Sequence, residues 1–189
     1  MAPLTRGAIS NCGFRMGDVE HNLDRYLAAE QRLNTFFAAL DYCFPRCIAV
    51  EKRKNGGQPV AACCQNKYYA ICDLTHPAFE RLRQEREKRF GRPEDHVWAD
   101  PVSPCSYHNP HHGCLLATHK SPICLAFLCR EGIDHLRSRY GIYTYDYLGF
   151  YYALEWILTG DLPEKDYAEF MASVAAMIAR VKQTDGAPH

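Results

Sequence analysis

Across 189 residues, 22 Lys and Arg balance 22 Asp and Glu, so no net field recruits nucleic acid or an anionic membrane surface. The length suits one domain with one core, the opening MAPLTRGAISNCGFRMGDVEH lacks the unbroken apolar stretch of a signal peptide, and no run of about 18 apolar residues offers a membrane span. The expectation is a soluble cytoplasmic protein with no nucleic-acid or membrane partner, whose ten cysteines a reducing compartment keeps available for metal binding or catalysis.

Residues 1–17 read as a loosely ordered start. Asp18 then caps a helix in which Leu23, Tyr26, Leu27, Leu33, Phe36, Phe37 and Leu40 recur at helical spacing, and proline ends it near Cys43-Phe44-Pro45. Asn55-Gly56 lies between two β-prone runs, one from Cys47 to Arg53 and one from Pro59 to Cys64. It predicts a tight hairpin whose open end brings Cys47 beside the Cys63-Cys64 pair. Thr75-His76-Pro77 predicts the start of a charged helix with Glu85 and Arg89 one turn apart, and the mixed signs of its RLRQEREKR run read as a solvated face.

From Gly91 to Pro122, scattered prolines and late-clustered histidines predict a long irregular segment, and ligand bonds to a metal are one way to hold such backbone in shape. Residues 130–182 read as C-terminal helices. Leu125, Leu128, Cys129, Gly132, Ile133, Leu136 and Tyr140 form one stripe, Thr144 caps a very apolar helix ending at Gly160, and Asp161-Leu-Pro-Glu164 opens a last helix. The fold class is therefore mainly α with one small β-hairpin (α+β), a single domain organised around a cysteine-rich region at 43–129.

Apart from Cys12, the sulfurs fall at Cys43, Cys47, Cys63, Cys64, Cys72, Cys105, Cys114, Cys124 and Cys129. Thiolate is a soft ligand that selects zinc, copper(I) or iron–sulfur clusters, and four such ligands complete one zinc site or one cubane. Neither a zinc-ribbon nor a ferredoxin spacing is present, so density and position carry the signal. For each sulfur the plain alternative is a small buried hydrophobe, Cys129 on its apolar stripe above all. Cys105-Ser-Tyr-His108-Asn-Pro-His111-His112-Gly-Cys114 would suit a mixed zinc site. The aromatic and aliphatic neighbours of Cys72, Cys124 and Cys129 instead favour an all-thiolate cluster.

Cys43-x3-Cys47, the Cys63-Cys64 pair and the later Gly113-Cys114-Leu-Leu-Ala-Thr-His-Lys-Ser-Pro122-Ile-Cys124-Leu-Ala-Phe-Leu-Cys129 together resemble the zinc- or iron-chelating cysteine family called YkgJ-like. The resemblance spans roughly Cys43 to Cys129. It implies chelation of iron or zinc by these cysteines and, through related flagellin lysine N-methylases that carry a cubane cluster, a redox or methyl-transfer context.

The leading expectation is an iron–sulfur protein in which the nine cysteines named hold one or two cubane (4Fe–4S) clusters. It would serve electron transfer, cluster storage or redox chemistry with a partner protein or small molecule. One alternative is a structural-zinc interaction module drawing on His108, His111 and His112. Another is a transferase or reductase with a pocket lined by Tyr145, Asp146 and Glu155, where hydroxyls and carboxylates would relay protons. The six tyrosines between Tyr140 and Tyr152 otherwise read as core aromatics with hydroxyls at a wet edge. No P-loop or dinucleotide fingerprint is present.

Overall fold

The computed structural model describes residues 16–40, 42, 49–57, 67–70, 75–97, 105–109 and 113–186. The expectations for Cys43, Cys47, Cys63, Cys64, Cys72, His111, His112, the loose start and the second arm of the Asn55-Gly56 hairpin lie outside these residues. Most described residues are helical, in the order α1 (Met16–Ala39), α2 (Ala49–Lys54), α3 (Pro77–Phe90), α4 (Pro122–Ala126), α5 (Arg130–Tyr140), α6 (Tyr147–Thr159) and α7 (Glu164–Asp185). Two-residue strands β1 (His108–Asn109) and β2 (Gly113–Cys114) pair antiparallel, with His108 opposite Cys114.

The long helix α1 is the spine against which α3, α4, α6 and α7 pack. Val19, Leu23, Tyr26, Leu33, Phe36 and Leu40 turn inward at three- and four-residue steps, meeting Leu82 of α3, Leu154, Ile157 and Leu158 of α6, and Val174, Met177 and Val181 of α7 in one core. Each such buried aliphatic side chain stabilises the fold by about 1.5–3 kcal/mol relative to exposure. Asp18 lies in the first turn of α1 and not at its cap, where its charge complements the helix dipole.

The first arm of the expected hairpin is the helix α2. Its sequence AVEKRK is made largely of good helix formers, and Asn55-Gly56-Gly57 ends it: Gly56 and Gly57 take φ of 64° and 85°, and the Gly57 N–H returns to Lys52 O at 2.9 Å. The same Asn-Gly that favours a tight β-turn here supplies the left-handed residues of a helix terminus.

Two further boundaries differ from the expectation. The stripe from Leu125 to Tyr140 is divided between α4 and α5 by an extended break at 127–129. The cap of α6 is Asp146, whose carboxylate accepts from the Leu148 and Gly149 N–H groups at 3.2 Å each, and not Thr144. Gly160, at φ 86°, closes α6 where expected.

Candidate metal centre

A second, smaller core forms where the 3₁₀ turn Tyr68–Ala70, α3, the strand pair and α4 meet. Tyr69, Cys105, Tyr107 and Leu116 are buried there, and Phe90 and Cys124 pack against them. Tyr69 and Tyr107 meet edge to face with centroids 5.1 Å apart, and the Tyr107 hydroxyl donates to Gly91 O at 2.9 Å. Three thiols from separate stretches of the chain converge on this cluster: Cys105 ahead of β1, Cys114 on β2 and Cys124 in α4.

Local chemistry explains their placement. Ser121-Pro122 is a helix start, with the serine hydroxyl accepting from Cys124 N–H at 3.3 Å while donating to Tyr68 O at 2.7 Å. One fully buried hydroxyl thus seats Cys124 and anchors the 3₁₀ turn. Cys63 and Cys64 precede that turn closely in the chain, and Cys72 follows it by two residues.

Burial pushes the Cys124 thiol up to about 11, and the neighbouring Cys105 and Cys114 push the same way. Cys114 is an exposed residue, but its sulfur turns back toward Leu116 O at 3.9 Å, and the surrounding protein raises its pKa too. The three sulfurs therefore lie within electrostatic reach of one another, and burial keeps those of Cys114 and Cys124 as neutral thiols. Among the described residues, no three His, Cys, Asp or Glu side chains are grouped closely enough to hold a metal ion.

Two buried polar atoms at this cluster lack partners: His108 Nδ1, on the strand residue facing Cys114, and Arg86 Nε. Burial holds the His108 imidazole below its ordinary pKa, so it is a neutral donor at pH 7. Soft sulfur and a neutral imidazole are the donor types that a soft metal prefers. Cys129 has a separate job: its sulfur caps α5 by accepting from the Gly132 N–H at 3.4 Å.

The loop between Cys114 and Cys124 is clamped by α1. Tyr26 donates to Lys120 O at 2.6 Å, Glu30 accepts from the His119 and Lys120 N–H groups at 2.8 and 3.1 Å, and Asn34 Oδ1 accepts from Lys120 Nζ at 2.8 Å. These three residues are spaced four apart, on one face of the helix. Glu30 is only 1% exposed, and that burial raises its carboxyl pKa against the lowering effects of Lys120 and His119. His119 adopts a left-handed φ of 60° and is itself buried, which lowers its pKa.

The two titrations act with opposite sign. His119 contributes stability in full above its ordinary value of 6.5, and this is lost as pH falls toward its depressed folded value. Glu30 contributes fully below its ordinary 4.5, and its contribution declines as pH rises through the raised value. Between pH 7 and 5.5 the change in Tm is expected to be more negative for wild type than for H119N, which tolerates the left-handed backbone without titrating. Equal slopes in wild type and variant would show that His119 does not contribute to the pH dependence.

The residues expected to line an enzyme pocket are occupied separately. Tyr145 is buried, stacks on Phe150 and donates to Ala126 O; Asp146 caps α6; and Glu155 accepts the hydroxyl of Tyr151. A shallow groove of about 470 Å³ between α1 and α7, floored by Ala28, Thr35 and Ala175, includes none of them.

Sequence reasoning passed over Glu30 and Arg86. Each sits on a buried helical stripe, Glu30 between Tyr26 and Leu33 and Arg86 four residues after Leu82, and a charge at such a position is the signal that marks it. In this respect the RLRQEREKR run differs from the solvated face expected, because Arg86 is 3% exposed. No protein-family model matches the chain, no curated protein matches its sequence, and no solved structure matches its fold.

Proposed function

We propose that this chain is an iron–sulfur protein of the cytoplasm, in which thiolates drawn from Cys43, Cys47, Cys63, Cys64, Cys72, Cys105, Cys114, Cys124 and Cys129 hold one or two cubane clusters. The observation that carries the reading is the convergence of Cys105, Cys114 and Cys124 on one small aromatic-lined core with orphaned polar atoms. The Tyr68–Ala70 turn supports it further, since Ser121 and Arg86 tie it to that core and Cys63, Cys64 and Cys72 flank it in sequence. Cys105, Cys114 and Cys124 are the first three ligands of this reading, completed by one of the cysteines that flank the turn in sequence. The resemblance to the YkgJ-like family is part of the same proposal.

A bound cluster would supply a one-electron couple in a setting of restricted solvent access. The chain's own part is to hold the sulfurs in place, keep water out with Tyr69, Tyr107 and Leu116, and fix the backbone between Cys114 and Cys124 through α1. Electron transfer, cluster storage and redox chemistry on a small molecule all draw on that arrangement.

Anaerobic purification, or reconstitution with ferrous iron and sulfide, is expected to give a brown protein with near-equal iron and labile sulfide and a paramagnetic signal on reduction. A colourless protein without either after reconstitution overturns the reading. The unpartnered Nδ1 of His108 beside Cys114 favours a second reading, a structural zinc held by mixed sulfur and nitrogen. Stoichiometric zinc lost on H108A substitution would select it.

A further inference from the structure

The outward face of α6 is apolar where a surface helix is ordinarily polar. Four-residue steps drift by only about 40° around a helix, so Leu148, Tyr152 and Trp156 form one row about 12 Å long. They are 46%, 49% and 50% exposed, and they stand opposite Phe150, Leu154, Ile157 and Leu158, which the main core buries. The Tyr152 and Trp156 ring centroids lie 6.3 Å apart with their planes 28° from parallel, and Tyr151 packs against Tyr152 at 5.0 Å. Of the five large apolar side chains left exposed among the described residues, three are in this row, and a fourth, Tyr143, is three residues ahead of the helix cap.

Single exposed apolar residues are ordinary, whereas a contiguous row of them marks a contact surface. The fold does not call for it: the inner face already holds α6, and lysine, glutamate or glutamine would serve the outer positions with no loss of packing.

The charges around the row select the kind of partner. From Asp146 to Glu169 the chain carries six carboxylates and one lysine, although it is neutral as a whole. Glu155, the single charged residue of α6, is fixed beside the row by accepting the Tyr151 hydroxyl, while Asp146 caps one end of the helix and Asp161 follows the other. Apolar side chains with carboxylates at their ends and flank are complementary to apolar anchors set among lysines and arginines. The row is poorly matched to itself. Two copies paired across it would bring like charges together, and three half-exposed side chains offer about 300 Å² where a stable interface takes about 800 Å² from each partner. An anionic lipid surface is repelled by the same carboxylates.

We propose that this face of α6 docks a basic amphipathic segment of a partner protein, with Tyr152 and Trp156 as its anchors and Leu148 extending the contact. An amphipathic helix presents apolar side chains every three or four residues, the interval at which this row receives them, and its flanking lysines or arginines would lie toward Glu155, Asp146 and Asp161. The surface is independent of the cysteines and of any metal they hold.

The test uses full-length protein and two fluorescently labelled peptides of about four helical turns, one of leucine and lysine at amphipathic spacing and one with glutamate in place of every lysine. In fluorescence anisotropy the lysine peptide is expected to bind with a micromolar Kd that weakens as salt is raised, and the glutamate peptide to bind at least about tenfold more weakly. W156Q is expected to weaken binding of the lysine peptide about tenfold and E155Q about threefold, with Tm close to wild type because neither side chain belongs to the buried core. L148Q, in the same row, is expected to change affinity in the same direction and stands in if W156Q folds poorly. Absence of binding overturns the proposal, as does equal affinity for the two peptides or binding that W156Q and L148Q leave unchanged. Cosedimentation with phosphatidylcholine vesicles that W156Q abolishes would assign the face to lipid, and a dimer in sedimentation velocity that W156Q dissociates would assign it to a second copy. Either result overturns the basic partner.

Discussion

Substituting Glu30 with alanine is expected to cost on the order of 3 kcal/mol and to loosen the candidate centre at the same time. The carboxylate is the acceptor for two backbone N–H groups, those of His119 and Lys120, and its removal strands both in a site that water reaches poorly. Each stranded donor costs about 1–3 kcal/mol, from which the relief of burying a carboxylate is subtracted. For a chain of this length that corresponds to a Tm lower by roughly 6–12 °C. E30Q is expected to fall about midway, since an amide oxygen serves one N–H while its own NH2 faces the other.

Because the clamped loop joins Cys114 to Cys124, E30A is also expected to release reconstituted iron to a chelator several-fold faster than wild type at a temperature where both remain folded. Thermal denaturation by circular dichroism and timed chelator extraction measure the two effects. A Tm change under about 2 °C would mean that the loop holds its shape without the clamp.

The sharpest contrast within the cysteines is expected between Cys124 and Cys129. C124A removes a sulfur packed against the minor core and within electrostatic reach of Cys105 and Cys114, and under the proposed function the iron retained after desalting is expected to drop more than tenfold, with metal-free Tm nearly unchanged because alanine is also small and apolar. C129A removes a helix cap, and the expected result is the reverse: about 1 kcal/mol of stability lost with most of the iron kept. Iron per chain, measured alongside the denaturation midpoint, separates the two. Equal iron loss in both variants would place Cys129 in the ligand shell and assign its contact with Gly132 to the metal-free form.

Much of the scaffold could be read directly from residue spacing. The stripes of α1, α6 and α7 are long and strongly periodic, and His76-Pro77 and Gly160 are start and stop signals whose chemistry leaves few alternatives. Short elements resisted the same reading. α2 is six residues long and ends on an Asn-Gly that serves equally as a hairpin turn and a helix terminus, and β1 and β2 are two residues each, too brief for any alternation to register. The break between α4 and α5 escaped because Leu125, Leu128 and Leu136 are all buried whether the helix is continuous or not.

Within the candidate site, Cys105, Cys114 and Cys124 were recognisable by type, since only a few side chains make soft ligands. Their convergence was not, because it depends on Ser121 bonding to Tyr68 across 53 residues and on Glu30 reaching a loop 89 residues away. Arg86 was hidden by composition. In a run of alternating charges, the one inward-facing arginine is distinguished only by its spacing from Phe79 and Leu82.

The clamp on α1 also bears on how the chain is born. Glu30 leaves the ribosome 89 residues ahead of His119, an interval of about 4–18 s at ordinary rates of elongation. Throughout it, Tyr26, Glu30 and Asn34 display a row of hydrogen-bonding groups on a helix whose counterpart has not yet been made. The clustering of the three sulfurs is therefore a late product of synthesis, reached only when the second half of the polypeptide folds back onto the first, and under the proposed function a metal would be delivered after that step.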